Sequence, residues 1–248
     1  MISIPSSTSV LRNLFRADMT IQWRNRRAFL LSLLVPVILL VSWKSIVDQM
    51  GAARALSTCI TIGVAASCLM GYTNSLARDR DKGVFQRLRV APVPAWTVMG
   101  SRLLVQLTMI ALTTIVVFLV GYNVDHIQLA FPSYVFGLLA ALVVAAVYLA
   151  LGQMIVGLIK NPETVNSTTR LVYLAFIMVG LFGELGALGK EMIEVVRWSP
   201  YGAVKRVLAA SMQPNTWNQD VTNALLVTLG YALVFGVIGI RKFKWDSK

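Results

Sequence analysis

Residues able to do chemistry are few in this chain, and their spacing closes most routes to catalysis. The one histidine, His126, stands beside Asp125 on a polar stretch and reads as a solvated pair, with no third group at nucleophile spacing. Cys59 and Cys68 fall inside one apolar run and read as small buried hydrophobes rather than a disulfide or metal pair. No His-Glu-x-x-His, Gly-x-Ser-x-Gly or clustered Cys/His pattern occurs, so neither a catalytic residue nor a metal site is expected. Gly189-Lys190 is followed by Glu191 and lacks the spacing of a phosphate-cradling loop, so ATP-driven work would need a second polypeptide.

What stands out instead is a dense charged stretch, residues 78–94, between long apolar runs. It contains Arg78, Asp79, Arg80, Asp81, Lys82 and then Gly83, a natural breaker, with Pro92 and Pro94 closing the far end. Between them Val84, Phe85 and Leu88 share one helical face, while Arg87 and Arg89 point elsewhere. That is a two-turn helix with an apolar knob in a basic collar. A helix so short is marginal alone in water, so something must pack on it. By composition alone the stretch is equally an ordinary charged loop between membrane spans.

The elements around this stretch are membrane-sized. Of 248 residues 56% are hydrophobic, the mean hydropathy is +0.68, and only 14% are charged, yet the net charge is +12. The bases cluster between apolar runs instead of spreading over one face with interleaved aromatics. That suits anionic lipid headgroups and membrane topology, not nucleic acid. At ~20 residues per crossing the apolar runs lie at 28–47, 52–76, 97–121, 134–159, a fifth beginning at 170–182, and 223–240. Six spans place both termini on one side, with 17 of the 23 Lys and Arg residues there, which predicts N-in and C-in.

Residues 1–9 read as unstructured. Over 10–27, Leu11, Leu14, Phe15 and Met19 form a helical stripe opposite Arg12, Arg16, Arg24, Arg26 and Arg27, the pattern of an interfacial helix on the inner leaflet. Between the fifth and sixth runs, Gly183, Gly186 and Gly189 break the chain and Val204, Val207 and Leu208 restart a stripe. Residues 183–220 are therefore expected as an outer re-entrant pair of short helices. Neutral polar groups inside the runs, among them Tyr72, Asn74, Gln106 and Gln153, serve either as interhelical hydrogen bonds or as the lining of a substrate path.

The 78–94 stretch resembles the signature loop of the ABC-2 type transporter permeases: an acid-Arg-acid triplet (Asp79, Arg80, Asp81), one residue, Gly83, an amphipathic turn from Phe85 to Leu88, then Pro92. It departs from the family's common residues at Asp79, Asp81, Val84 and Gln86. Ser199-Pro200-Tyr201-Gly202 resembles the family's proline-aromatic segment before the last span, and Arg241-Lys242-Phe243-Lys244-Trp245 its basic-aromatic tail. The resemblance implies an all-α integral membrane protein forming a single transmembrane permease domain over 1–248. It implies six spans and a cytoplasmic coupling helix between the second and third. Asp79, Arg80, Asp81, Lys82, Gly83, Val84, Phe85, Arg87 and Leu88 would contact a separate P-loop ATPase subunit, with Phe85 as an outward anchor. ATP and magnesium would sit in that partner, and a second permease copy, the same or related, would complete the path in the cell membrane. The cargo implied first is a lipophilic or amphipathic drug-like compound moving outward, and second a lipid-linked glycan. From a different class, a non-transporting receptor or immunity scaffold would be set apart by the absence of any ATPase partner.

Overall fold

The computed structural model describes residues 7–24, 26–43, 47, 50–90, 95–184 and 189–243, and among them every regular element is helical. In chain order these are α1 (Ser7–Arg24), α2 (Arg26–Ser42), α3 (Ala52–Ala65), a π segment (Ala66–Tyr72), α4 (Thr73–Asp81), α5 (Val84–Val90), α6 (Ala95–Val124) and α7 (Phe131–Leu158). α8 (Pro162–Glu184), α9 (Lys190–Trp198), α10 (Pro200–Met212), a 3-10 turn (Pro214–Thr216) and α11 (Gln219–Lys242) follow.

Among the described residues five helices are long and apolar enough to cross a membrane: Ala52–Asp81, Trp96–Val124, Phe131–Leu158, Pro162–Phe182 and Gln219–Lys242. The run expected first, 28–47, includes residues outside those described; its apolar part is a shorter helix, Leu33–Ser42. The chain is thus a multi-pass, all-helical membrane protein. Its spans are not equivalent: the apolar window of Ala52–Asp81 is 89% buried, against 17% for α11. The span that carries the charged turn at its end is therefore the axis of the bundle, wrapped by α2, α6, α7 and α10.

Mid-span, this axis widens into the π segment, where the Thr73 hydroxyl donates back to the Cys68 carbonyl at 2.9 Å. The distortion adjoins a close contact with α7: a Cβ added at Gly152 would stand 2.1 Å from Thr73 Oγ1. Only glycine fits there. The extra width of a π turn also re-aims side chains, a reason such turns recur at functional sites.

The fifth span begins at Pro162, not at 170 as the apolar run suggested. Asn161 caps it, its Oδ1 accepting from the Glu163 and Thr164 amides at 2.8 and 3.4 Å, and Pro162 takes the first position, where no N–H is needed. Residues 163–169 are polar because one face of that first stretch meets polar groups of α4. Asn74 donates to Asn166 Oδ1 at 3.2 Å, and Thr169 donates to Asn74 Oδ1 at 3.3 Å.

In 183–220 the expected pair of short helices is present as α9 and α10. Gly186 lies outside the described residues. Ser199 caps α10 by accepting from the Gly202 amide at 3.1 Å, ahead of Pro200. α10 buries Tyr201, Val204, Val207, Leu208 and Met212 against α3, α7 and α11, while α9 stays at the surface, tied to α11 by Arg197 and Asp220 at 2.5 Å.

Candidate functional site

The charged turn is built by a helix stop. Lys82 N–H donates to the Arg78 carbonyl at 2.9 Å, Gly83 N–H to the Arg80 carbonyl at 3.1 Å, and Gly83 takes φ 66°, the left-handed conformation that ends helices and favours glycine. α5 restarts at Val84 and folds back along the bundle.

The side chains on either side of Gly83 divide sharply. Arg80, only 2% exposed, donates to the carbonyls of Val156, Ile159 and Lys160 at 2.5, 2.7 and 2.7 Å, so it caps the C-terminal end of α7. The Val156 carbonyl is an orphan acceptor of the helix end, where a cation also meets the negative pole of the helix dipole, and those of Ile159 and Lys160 belong to the extended connection to α8. Asp79 forms an ion pair with Arg102 in the second turn of α6. The Arg102 guanidinium lies 5.4 Å from the Phe85 ring centre, and that ring packs edge-on against Phe243 at 5.9 Å.

Phe85 therefore corrects one expectation. It was expected to stand outward as the anchor in a partner's cleft, but it is 0% exposed within this chain. The physical reason is the shortness of α5: seven residues gain stability only by burying their apolar face, and the nearest apolar surface is the end of α11. Arg80, expected among the partner contacts, is likewise turned inward. What faces solvent is Arg78, Asp81, Lys82, Gln86 and Arg87, with Gly83 and Val84 half-buried. The side chains of Leu88 and Arg89, and residues 91–94 with Pro92 and Pro94, lie outside the described set.

The N-terminal helix docks beside this turn. Leu11, Leu14, Phe15 and Met19 are half-buried, Leu11 lying over Gly100 of α6, and Asp18 accepts from Ser101 Oγ at 2.6 Å. The stripe rests on the protein, while Arg12, Arg16, Ile21, Trp23 and Arg24 remain exposed.

Of the four neutral polar residues singled out in the spans, two meet. The Tyr72 hydroxyl donates to Gln153 Oε1 at 3.3 Å in a cavity of about 640 Å³ between the π segment, α6, α7 and α11. The other two knit helices together: Gln106 donates to Ser67 Oγ at 2.6 Å, and Asn74 donates to the Met70 carbonyl and to Asn166. Among the described residues no group of three His, Cys, Asp or Glu could hold a metal ion.

Sequence reading missed Arg102 and Phe243. An arginine inside the start of an apolar run must find an acid or a carbonyl, and that requirement is the signal that could have paired Arg102 with an acid of the charged turn.

The model of the ABC-2 type transporter family matches residues 9–211. The chain belongs to the ABC-2 type transporter family. It is the permease kind of subunit, which lacks the ATPase. A Bacillus subtilis (strain 168) protein described as "Putative transport permease YvfS" is 24% identical over 237 residues, covering 92% of this chain and 94% of that relative. The family implies a partnering ATPase subunit and a membrane location for this ABC-2 permease.

Proposed function

We propose that this ABC-2 permease exports a lipophilic or amphipathic compound, working as a half-transporter that pairs with a second copy and seats the 78–94 turn on an ATPase subunit holding ATP and magnesium. The observation that carries the reading is the outward face of the turn. Asp81, Lys82 and Arg87 put charges of both signs on solvent at the tip of the most buried span. Mixed-sign charge suits a complementary protein surface, which steers docking and fixes register. The contact is then electrostatic, with Phe85 holding the turn's shape from inside. α2 completes six spans, and the basic turn lies on the cytoplasmic side with both termini, as the distribution of 17 against six basic residues supports. Lipophilic cargo suits the neutral, hydrogen-bonded polar groups that Ser67, Gln106 and Thr113 place inside the bundle.

The test is recovery of a P-loop ATPase with tagged permease from its own membranes. Reversing both outward bases, Lys82→Glu with Arg87→Glu, should lower the recovered ATPase by roughly tenfold or more with the permease's membrane level unchanged. Wild-type recovery by that variant, or no ATPase with the unaltered chain, refutes the reading.

A further inference from the structure

The cavity beside Tyr72 lies in the half of the bundle that carries the charged turn. Met99 and Leu103 belong to the first turns of α6, Gln153 to the last two turns of α7, and Ile240 and Phe243 stand at the end of α11. Its walls are apolar except for Tyr72 and Gln153. Because Gln153 Oε1 accepts from Tyr72, the Gln153 amide group is left to donate to something else. α11 ends with Arg241 and Lys242, both exposed and flanked in sequence by Ile240 and Phe243, which line the cavity. Gln153 stands five residues before the end of α7, roughly 7 Å along its axis. An apolar slot, an amide donor one to two turns from the end of α7, and two bases at the end of α11 repeat in order the acyl chain, ester carbonyl and phosphate of a glycerophospholipid.

We propose that this cavity is a site for one anionic glycerophospholipid. One acyl chain fills the slot, an ester carbonyl accepts from the Gln153 amide, and the phosphate rests against Arg241 and Lys242. The proposal goes beyond the transport reading and does not depend on it. Selection comes from the two polar contacts, because in a bilayer the surrounding lipid is as apolar as the slot and offers the chain no preference. Anionic headgroups gain from each nearby base, and two bases stand in the last turn of α11. Phe243 both walls the cavity and packs on Phe85, so a bound chain braces the coupling helix from beneath.

The experiment uses the full chain in mild detergent and native mass spectrometry, with palmitoyl-oleoyl phosphatidylglycerol and the matching phosphatidylcholine offered in equal amounts. One phosphatidylglycerol per chain is expected, in preference to phosphatidylcholine. Arg241→Gln with Lys242→Gln should lower that preference by roughly tenfold or more. Gln153→Leu should weaken both lipids alike, and Ala146→Trp, which fills the slot from its exposed wall, should lose bound lipid. Helical content by circular dichroism shows that each variant is folded. Equal binding of the two lipids, lipid retained by Ala146→Trp, or a preference unchanged by removing the charges of Arg241 and Lys242 overturns the proposal. So does stoichiometric displacement of phosphatidylglycerol by the neutral dye Nile red, which makes the cavity a cargo site, or its loss on dimer formation, which makes it an interface.

Discussion

Arg80→Ala removes a side chain that joins the charged turn to the end of α7. Its guanidinium makes three hydrogen bonds to carbonyls, at 2.5, 2.7 and 2.7 Å, from a position 2% exposed. A hydrogen bond to a charged group contributes ~1.5–3 kcal/mol in a difference measurement. Three bonds sharing one guanidinium do not add, and Lys160 sits at an exposed helix end where water can replace part of what is lost. A net cost of ~3 kcal/mol follows. For a chain of this size that corresponds to a fall in melting temperature of ~6–12 °C. Arg80→Lys separates charge from shape. An ammonium keeps the favourable interaction with the helix end but cannot fork to three carbonyls as a planar guanidinium does, so it should recover about half the loss. The assay is thermal unfolding of the purified chain at fixed detergent, paired with hydrogen exchange at residues 156–160, which should speed up in both variants. A melting point within ~1 °C of the unaltered protein in Arg80→Ala would show that the cap contributes nothing. Full recovery in Arg80→Lys would reduce it to a dipole effect.

Three further outcomes are expected. Phe85→Ala should lower the stability and membrane level of the chain itself, by ~3–4 kcal/mol, because the ring is buried against Phe243; a variant with normal stability that merely fails to recover the ATPase contradicts the inward placement. Gly152→Ala should destabilise by ~1–3 kcal/mol through its 2.1 Å encounter with Thr73 Oγ1, and Thr73→Ala should relieve much of that; additive losses in the double variant would refute the close approach. In a Cys59→Ala, Cys68→Ala background, a cysteine at Lys82 should resist an impermeant thiol reagent in intact cells and one at Asn215 should label, both positions being exposed; labelling at Lys82 overturns the orientation.

The parts of this fold legible in the sequence were those set by one-dimensional signals. The apolar runs at 52–76, 97–121 and 223–240 fall within helices long enough to span, and that at 134–159 overruns its helix by one residue, because ~20 apolar residues need no partner to declare themselves. Gly83 marked the helix stop for the same local reason. Two things were not legible. The start of α8 was hidden because its polar residues answer α4, 92 positions away at Asn74 and Asn166. The direction of Phe85 was hidden because helical periodicity says which residues share a face, not which surface that face meets. Contacts far along the chain, with Arg102 and with Phe243, 158 residues on, decide it.

That inward turn changes what the charged segment can transmit. A segment anchored through Phe85 in a partner's cleft would be pulled by one aromatic and could flex at Gly83. Here the turn is fastened to this chain at three points: Arg80 to the end of α7, Asp79 to Arg102 of α6, and Phe85 to Phe243 beyond α11. Each fastening is at a helix end, where a small displacement tilts a whole span instead of bending it. A push on the exposed face of Asp81, Lys82 and Arg87 would therefore reach three spans together. The helix hydrogen bonding of the axial span is altered above these fastenings, at Ala66–Tyr72, so any relative movement within that span is most easily taken up there. The π segment also carries Tyr72 and Ser67, the residues that meet Gln153 and Gln106. Both contacts join the π segment to neighbouring spans, so a tilt driven from the turn would be felt first at these hydrogen bonds.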